Sequence, residues 1–262
     1  MREQALIVMA TLTIIPVANA SEMKSVSVES HAAPMQPIMI QGPMPIEAEY
    51  FASLLTDVRM EQAGNAKFYI GNLNGYPIVV AQTSKGLENT AAATAVGIER
   101  YSPRAIISQG TSGGHDPSLQ VGDIVLGKRS VNSNNFKTPK LAAGEGSDSM
   151  NWIPMDIMAS EESAGEGDAA VDAEKIRYYM GSGNFWNNEI DRMTWLHTNF
   201  GTSVEEMETS SAAMIADAYG IPFLGVRVLS NNLTNNGKYD PSTAADCQKF
   251  VKEIILHYIS TL

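Results

Sequence analysis

The chain has 262 residues, 44% hydrophobic and 18% charged, which suits a sizeable buried core and excludes a disordered chain. Lys and Arg number 18 against 29 Asp and Glu, and the net charge of -11 opposes any general affinity for nucleic-acid phosphates or anionic membrane surfaces. The single cysteine, Cys247, excludes an internal disulfide framework and a cysteine-rich zinc site, and the 4 histidines have no paired spacing to suggest a metal centre.

In chain order, residues 1–20 have a short basic start at Arg2, an apolar stretch from Ala5 to Val17 and a small-x-small ending, Ala18-Asn19-Ala20. That pattern predicts a cleaved signal peptide and export, to the periplasm in a Gram-negative cell. A polar, proline-punctuated tether is expected over 21–36, followed by one domain over 37–262. Pro37 to Ile40 reads as a buried strand stopped by Gly42-Pro43. Ile46 to Met60 has helical spacing, with Phe51, Leu54, Leu55 and Val58 on one face. Lys67–Gly71 and Tyr76–Gln82 read as a hairpin turned at Asn74-Gly75. Leu87–Tyr101 reads as a helix, and Ala105–Ser108 and Asp123–Leu126 as short buried strands. Residues 140–172 are rich in Gly, Ser, Asp and Glu and read as a solvated acidic insertion, with a mobile flap as the sharper alternative. Asn188–Asn199 and Met207–Ala218 are predicted helices, Pro222–Leu229 a buried strand and Ala244–Leu262 a closing amphipathic helix. Strands alternating with helices predict an α/β fold with a substantially parallel sheet.

Four segments have the composition of a ligand site. Gln109-Gly110-Thr111-Ser112-Gly113-Gly114 follows a predicted strand, where glycines let backbone N–H groups approach a ligand. It matches neither the dinucleotide fingerprint nor the lysine-bearing phosphate loop. Glu205-Glu206-Met207-Glu208 opens a predicted helix, where acidic residues serve the helix dipole or bind paired hydroxyls. Arg227 lies in an apolar strand and needs a buried partner, for which Glu208 is the natural candidate, and Ser230-Asn231 stand at that strand's tip. Gly42 to Glu47 turns a strand into a helix that begins with a carboxylate. His115, His197 and His257 read as ordinary loop or structural residues, Asp240 as a turn residue and Cys247 as a buried small hydrophobe.

GNLNGYPIVVAQTSKGLENTAAAT, SQGTSGGHDPSLQVGDIVLG and EEMETSSAAMIADAYGIPFLGVRVLSNN, in this order, resemble the purine nucleoside phosphorylase and methylthioadenosine/S-adenosylhomocysteine nucleosidase superfamily, most closely its nucleosidase branch. The resemblance implies a three-layer αβα sandwich with a mixed, largely parallel central sheet. It implies hydrolysis of a purine nucleoside without metal or organic cofactor, in a homodimer. Glu47 falls on the carboxylate that activates water, Glu208 on the residue that binds the ribose hydroxyls and Met207 on the residue beneath the sugar. Met44, Thr111, Ser112 and Gly113 fall around the sugar and nucleophile, Trp186 on the ring that stacks on the base with Phe185 as its fallback, and Arg227 and Ser230 on supporting positions.

The sequence departs from the nucleosidases at Asn231, where they carry an aspartic acid that helps to protonate the leaving adenine. An amide cannot deliver that proton but its NH₂ can steady developing negative charge, which favours a 6-oxopurine over adenine. The stretches where related phosphorylases hold phosphate with arginine, QGPMPIEAE and AIISQGTSGG, contain neither Arg nor Lys, which favours water as nucleophile. Phosphate-dependent cleavage and non-catalytic purine binding are the alternatives.

Overall fold

Period-two burial along the apolar runs sets the layering. Strand β1 (Ile38–Gly42) sends Ile38 and Ile40 to one side and Met39 to the other, and β4 divides Ile78 and Val80 from Val79 and Ala81 in the same way. A strand buried on both faces needs a helix layer on each. The computed structural model describes residues 35–146, 148, 150, 153–154, 159–161 and 176–261. The expected signal segment, the tether up to residue 34 and much of the expected insertion lie outside the described residues.

After β1 come α1 (Pro45–Ser53), β2 (Thr56–Ala63), β3 (Ala66–Leu73), β4 (Tyr76–Gln82), α2 (Leu87–Tyr101), β5 (Ala105–Gly114) and β6 (Ile124–Asn132). Short strands β7 (Phe136–Lys137), β8 (Ile153–Pro154) and β9 (Ala159–Glu161) follow, the last two within the expected insertion. The chain continues through β10 (Ile176–Ser182), α3 (Ile190–Phe200), β11 (Thr202–Glu206), α4 (Thr209–Ala218), β12 (Phe223–Asn231) and α5 (Thr243–Ser260). Helices α1 and α5 cover one face of the sheet through Ala48, Phe51, Val251 and Ile255. Helices α2 and α4 cover the other through Ala93, Ile98, Ala212 and Ala216, giving three α/β/α layers.

The large sheet runs in the order β11-β10-β6-β12-β5-β1-β4-β3-β2. The pairs at its centre, β4–β1, β1–β5 and β5–β12, are parallel, and β2–β3 and β3–β4 are antiparallel hairpins. Asn74 and Gly75 both take positive φ in the β3–β4 turn, as the Asn-Gly pair predicts. At the other end β11 pairs with β10 and also with β5, so β5, β12, β6, β10 and β11 close into a ring. Val125, Met180, Val204 and Leu229, one from each of four ring strands, form a third apolar cluster with Leu119.

Three boundaries differ from the sequence expectation. The helix expected to reach Met60 stops at Ser53, and Thr56–Ala63 pairs antiparallel with β3 instead. Edge pairing prevails because Val58 and Met60 have no core to face and stand exposed. The strand expected to end at Ser108 runs on through the glycine-rich segment to Gly114, since both edges of that stretch find partners in β12 and β11. The helix expected from Met207 begins at Thr209, because Thr202–Glu206 is a fully buried strand parallel to β10.

Gly42 ends β1 where the chain doubles back onto α1, and a Cβ there would overlap the Glu47 carbonyl. Gly42→Ala is therefore expected to displace α1 and lower stability by about 1–3 kcal/mol, read from denaturant midpoints. An unchanged midpoint would contradict this close approach.

Candidate active site

The carboxyl ends of β1, β5, β11 and β12 open on one cavity of about 470 Å3. Ligands of open α/β sheets sit beyond strand carboxyl ends. Of the residues expected in a site, Met44, Glu47, Thr111, Ser112, Gly113, Phe185, Trp186, Met207, Glu208, Ser230 and Asn231 all line this cavity. Arg227, expected among the substrate-binding residues, does not. It is fully buried behind the wall, and its partner is Glu206 at 2.7 Å rather than Glu208.

Glu47 is 1% exposed. Pro45 starts α1 with a ring that suits the first helical position, and Glu47, two residues on, reaches back to the Met44 N–H at 3.2 Å. Its other oxygen accepts from the Thr111 N–H and the Thr111 hydroxyl, both at 2.8 Å. Gly110 leaves room for this carboxyl, since a Cβ there would sit 2.9 Å from Glu47 Oε1. Gln248 of α5 holds α1 in place, donating to Ile46 O and accepting from Phe51 N. Burial pushes the Glu47 carboxyl above its ordinary pKa, against the Thr111 hydrogen bonds, the Arg227 charge and the Met44 N–H.

Glu206 accepts at one oxygen from Arg227 and from the N–H groups of Glu208 and Thr209, and at the other from the Ser182 hydroxyl. This fixes the start of α4 and with it Glu208, whose oxygens take the Gly86 N–H at 3.0 Å and the Met207 N–H at 3.3 Å. Burial first, and then the Glu206 charge, push the Glu208 carboxyl up to about 8. Ser230 donates between Ser112 O and Asn231 Oδ1. With Oδ1 so placed, Asn231 Nδ2 makes no hydrogen bond among the described residues and stands as a donor in the cavity wall.

Phe185 is half-buried, while Trp186 is 65% exposed at the mouth with its ring edge on Tyr239. Sequence reasoning missed several wall residues. Lys85 enters from the β4–α2 connection as the one lysine or arginine lining the cavity among the described residues. His115, read as an ordinary loop residue, is 1% exposed and bonds Thr202 and Glu205. Its position directly after the glycine-rich segment was the available signal. Glu205 and Glu206 also line the wall, two buried carboxylates that sequence reasoning assigned to a helix start.

A family model described as the phosphorylase superfamily matches residues 37–260. The chain is 27% identical over 226 residues to a 5'-methylthioadenosine/S-adenosylhomocysteine nucleosidase of a Marinomonas species, covering 84% of this chain and 94% of that one. It is 27% identical over 209 residues to the nucleosidase of the same name from Staphylococcus haemolyticus, covering 78% and 90%. Among solved structures, the Helicobacter pylori nucleosidase with butyl-thio-DADMe-Immucillin-A superposes with a TM-score of 0.70 at 22% identity, covering 85% and 99%. Futalosine hydrolase of the same organism superposes with a TM-score of 0.69 at 20% identity, covering 85% and 98%. These two structural likenesses establish the fold alone.

Glu208 holds its proton up to about pH 8 in the folded chain, against an ordinary value of 4.5. Between those values the folded state binds more protons than the unfolded one, so stability falls as pH rises. Glu47 acts in the same direction. Thermal unfolding should show this decline between pH about 5 and about 8, and Glu208→Gln should flatten it. An unaltered slope in that variant would refute the raised carboxyl.

Proposed function

The chain belongs to the phosphorylase superfamily, and on that premise we propose that it is a purine nucleosidase, hydrolysing the N-glycosidic bond of a purine ribo- or deoxyribonucleoside with preference for a 6-oxopurine. The observation that carries this reading is the buried Glu47 carboxylate, held by three hydrogen bonds in the same cavity as Glu208 and Asn231. Glu47 in its ionised form accepts a proton from water as that water attacks the anomeric carbon. Its raised pKa makes it a stronger base than an exposed glutamate. Glu208 takes the sugar hydroxyls, whose donated hydrogen bonds favour its ionised form. As the glycosidic bond stretches, the sugar gains positive charge and the base negative charge, and Asn231 Nδ2 donates to the base.

A nucleophilic phosphate would meet the ionised Glu47 here, and Arg227, buried behind the wall, already serves Glu206. Water meets no such repulsion. The relatives named above are nucleosidases that share most of their length with this chain, which supports hydrolysis. The preference for a 6-oxopurine rests on Asn231, since a base that spreads charge onto O6 leaves without full protonation. Export rests on the signal-like residues 1–20, and a mature N-terminus at Ser21 in a periplasmic fraction would test it. A homodimer is part of the same reading, and light scattering that finds a monomer would remove it.

Purified protein is expected to release hypoxanthine from inosine without added phosphate, faster than adenine from adenosine. Glu47→Gln should lower kcat by about 10²–10⁴-fold with KM little changed. Strictly phosphate-dependent release would instead indicate a phosphorylase, and tight binding without turnover a binding protein. Because Glu47 must be ionised, kcat/KM should fall on the acid side through a pKa above the ordinary 4.5. An acid limb at or below that value would argue against Glu47 as the base.

A further inference from the structure

Helix α2 begins beside the cavity without a cap of its own. Its N-cap is Gly86, which has a φ of 97° and no side chain to accept from the first turn. The first N–H groups of a helix need acceptors, and here these come from far along the chain. Gly86 N–H donates to Glu208 Oε1 at 3.0 Å and Leu87 N–H to Asn184 Oδ1 at 2.8 Å, across 122 and 97 positions. Asn184 Nδ2 in turn donates to Glu88 Oε2 at 2.6 Å, so both ends of one carboxamide grip the first turn of α2. The Leu87 N–H can be met only by the amide oxygen, which fixes the orientation of that amide. Its NH₂ also holds the Glu88 carboxyl below its ordinary pKa.

Asn184 belongs to the β10–α3 connection, which also carries two aromatic rings. Gly183 N–H donates to Glu206 O at 3.0 Å and Phe185 N–H to Gly183 O at 2.8 Å, so the connection leaves β10 through a tight turn. Phe185 and Trp186 follow directly and line the cavity, as Asn184 and Glu208 do. The turn is thus fixed to β11 through Gly183 and to α2 through Asn184. Glu208 closes the circuit, being the N-cap of α4 while its carboxyl reaches the N-cap of α2. Asn184 is exposed, and holding it at both ends forfeits rotamer freedom that solvent would let it keep. Its hydrogen bonds add little net stability at such a position. Their effect is geometric: the first turn of α2 and the ring-bearing segment move as one piece.

We propose that Asn184 is a positioning residue: by capping α2 from the β10–α3 connection it sets the Gly86 N–H against Glu208 and keeps that carboxyl aligned for the sugar. The inference rests on the nucleosidase reading above, in which Glu208 takes the sugar hydroxyls, and adds the residue that places it. Asn184 touches no reacting atom in this scheme and acts through Gly86. The Gly86 N–H favours the ionised form of Glu208 against the effect of burial. With the first turn of α2 frayed, Glu208 holds its proton to still higher pH. Sugar binding then weakens most at a pH where that proton has to be removed. Glu47 is held separately, by Thr111 and the Met44 N–H, so its part in the chemical step stays in place.

Steady-state kinetics of Asn184→Ala on inosine test this, with amide hydrogen exchange as a readout free of turnover. KM is expected to rise about 3- to 10-fold while kcat changes less than about 2-fold. The rise should be larger at about pH 6 than at about pH 9, on either side of the Glu208 value of about 8. Exchange at Gly86 and Leu87 should quicken in the same variant. Asn184→Asp sets a carboxylate against Glu88 and should recover KM only in part. Asn184→Asp combined with Glu88→Gln rebuilds both hydrogen bonds and should recover it fully. An unmoved KM, an equal rise at both pH values, unaltered exchange, or no recovery in the double variant would overturn the proposal while leaving nucleoside cleavage intact. If the unmodified protein cleaves no nucleoside, the nucleosidase reading falls and this inference falls with it.

Discussion

The ion pair between Arg227 and Glu206 is the constraint on which the cavity depends. Its two side chains are 1% and 2% exposed, and a charge left alone at that depth would be strongly destabilising. The pair is tolerated because hydrogen bonds surround it. Arg227 donates to Ser108 O, Val226 O and the Ser108 hydroxyl as well as to Glu206, and Glu206 receives the Ser182 hydroxyl and two backbone N–H groups of the α4 turn. Strands β5, β10, β11 and β12 and the start of α4 are thereby fixed to one another. Each carries or adjoins a wall of the site.

Around that anchor the site gathers carboxyl groups whose ionisation the fold itself makes costly. Glu47 and Glu208 are both buried and both held above the ordinary carboxylate range, the second also by its proximity to Glu206. Arg227 moderates both without entering the cavity. Such strained carboxyls fit a site whose ligand supplies hydroxyl donors and, in the transition state, positive charge on the sugar. The same charge distribution disfavours an anionic nucleophile. Lys85 at the lip is exposed, so its charge is largely screened by solvent.

The glycines of β5 show why a motif reads differently in sequence and in space. A run of Gly, Thr and Ser after an apolar strand has the composition of a turn, and one-dimensional reasoning treats it so. In the folded chain Gly110 and Gly113 stay in the strand because neighbouring side chains need their space, the Glu47 carboxyl at one and the Asn231 amide at the other. Likewise Glu205 and Glu206 look like acids serving a helix dipole. Glu206 does accept the first N–H groups of α4, but from the end of a buried strand.

Local patterns in the sequence determined what depends on neighbours along the chain: the alternating strands β1 and β4, the Asn-Gly hairpin, the long helices α2 and α5, and the candidate residues at strand ends. The resemblance to a family added their roles, and eleven of the twelve candidate residues line one cavity. Only the tertiary structure decided that Arg227 pairs with Glu206, that Thr56–Ala63 becomes an edge strand, and that His115 meets Glu205. These outcomes turn on partners brought close by sheet closure, with Glu205 and His115 separated by 90 positions along the chain. Burial, moreover, changes what a charge will tolerate, and burial is a property of the packed fold that no local stretch of sequence carries.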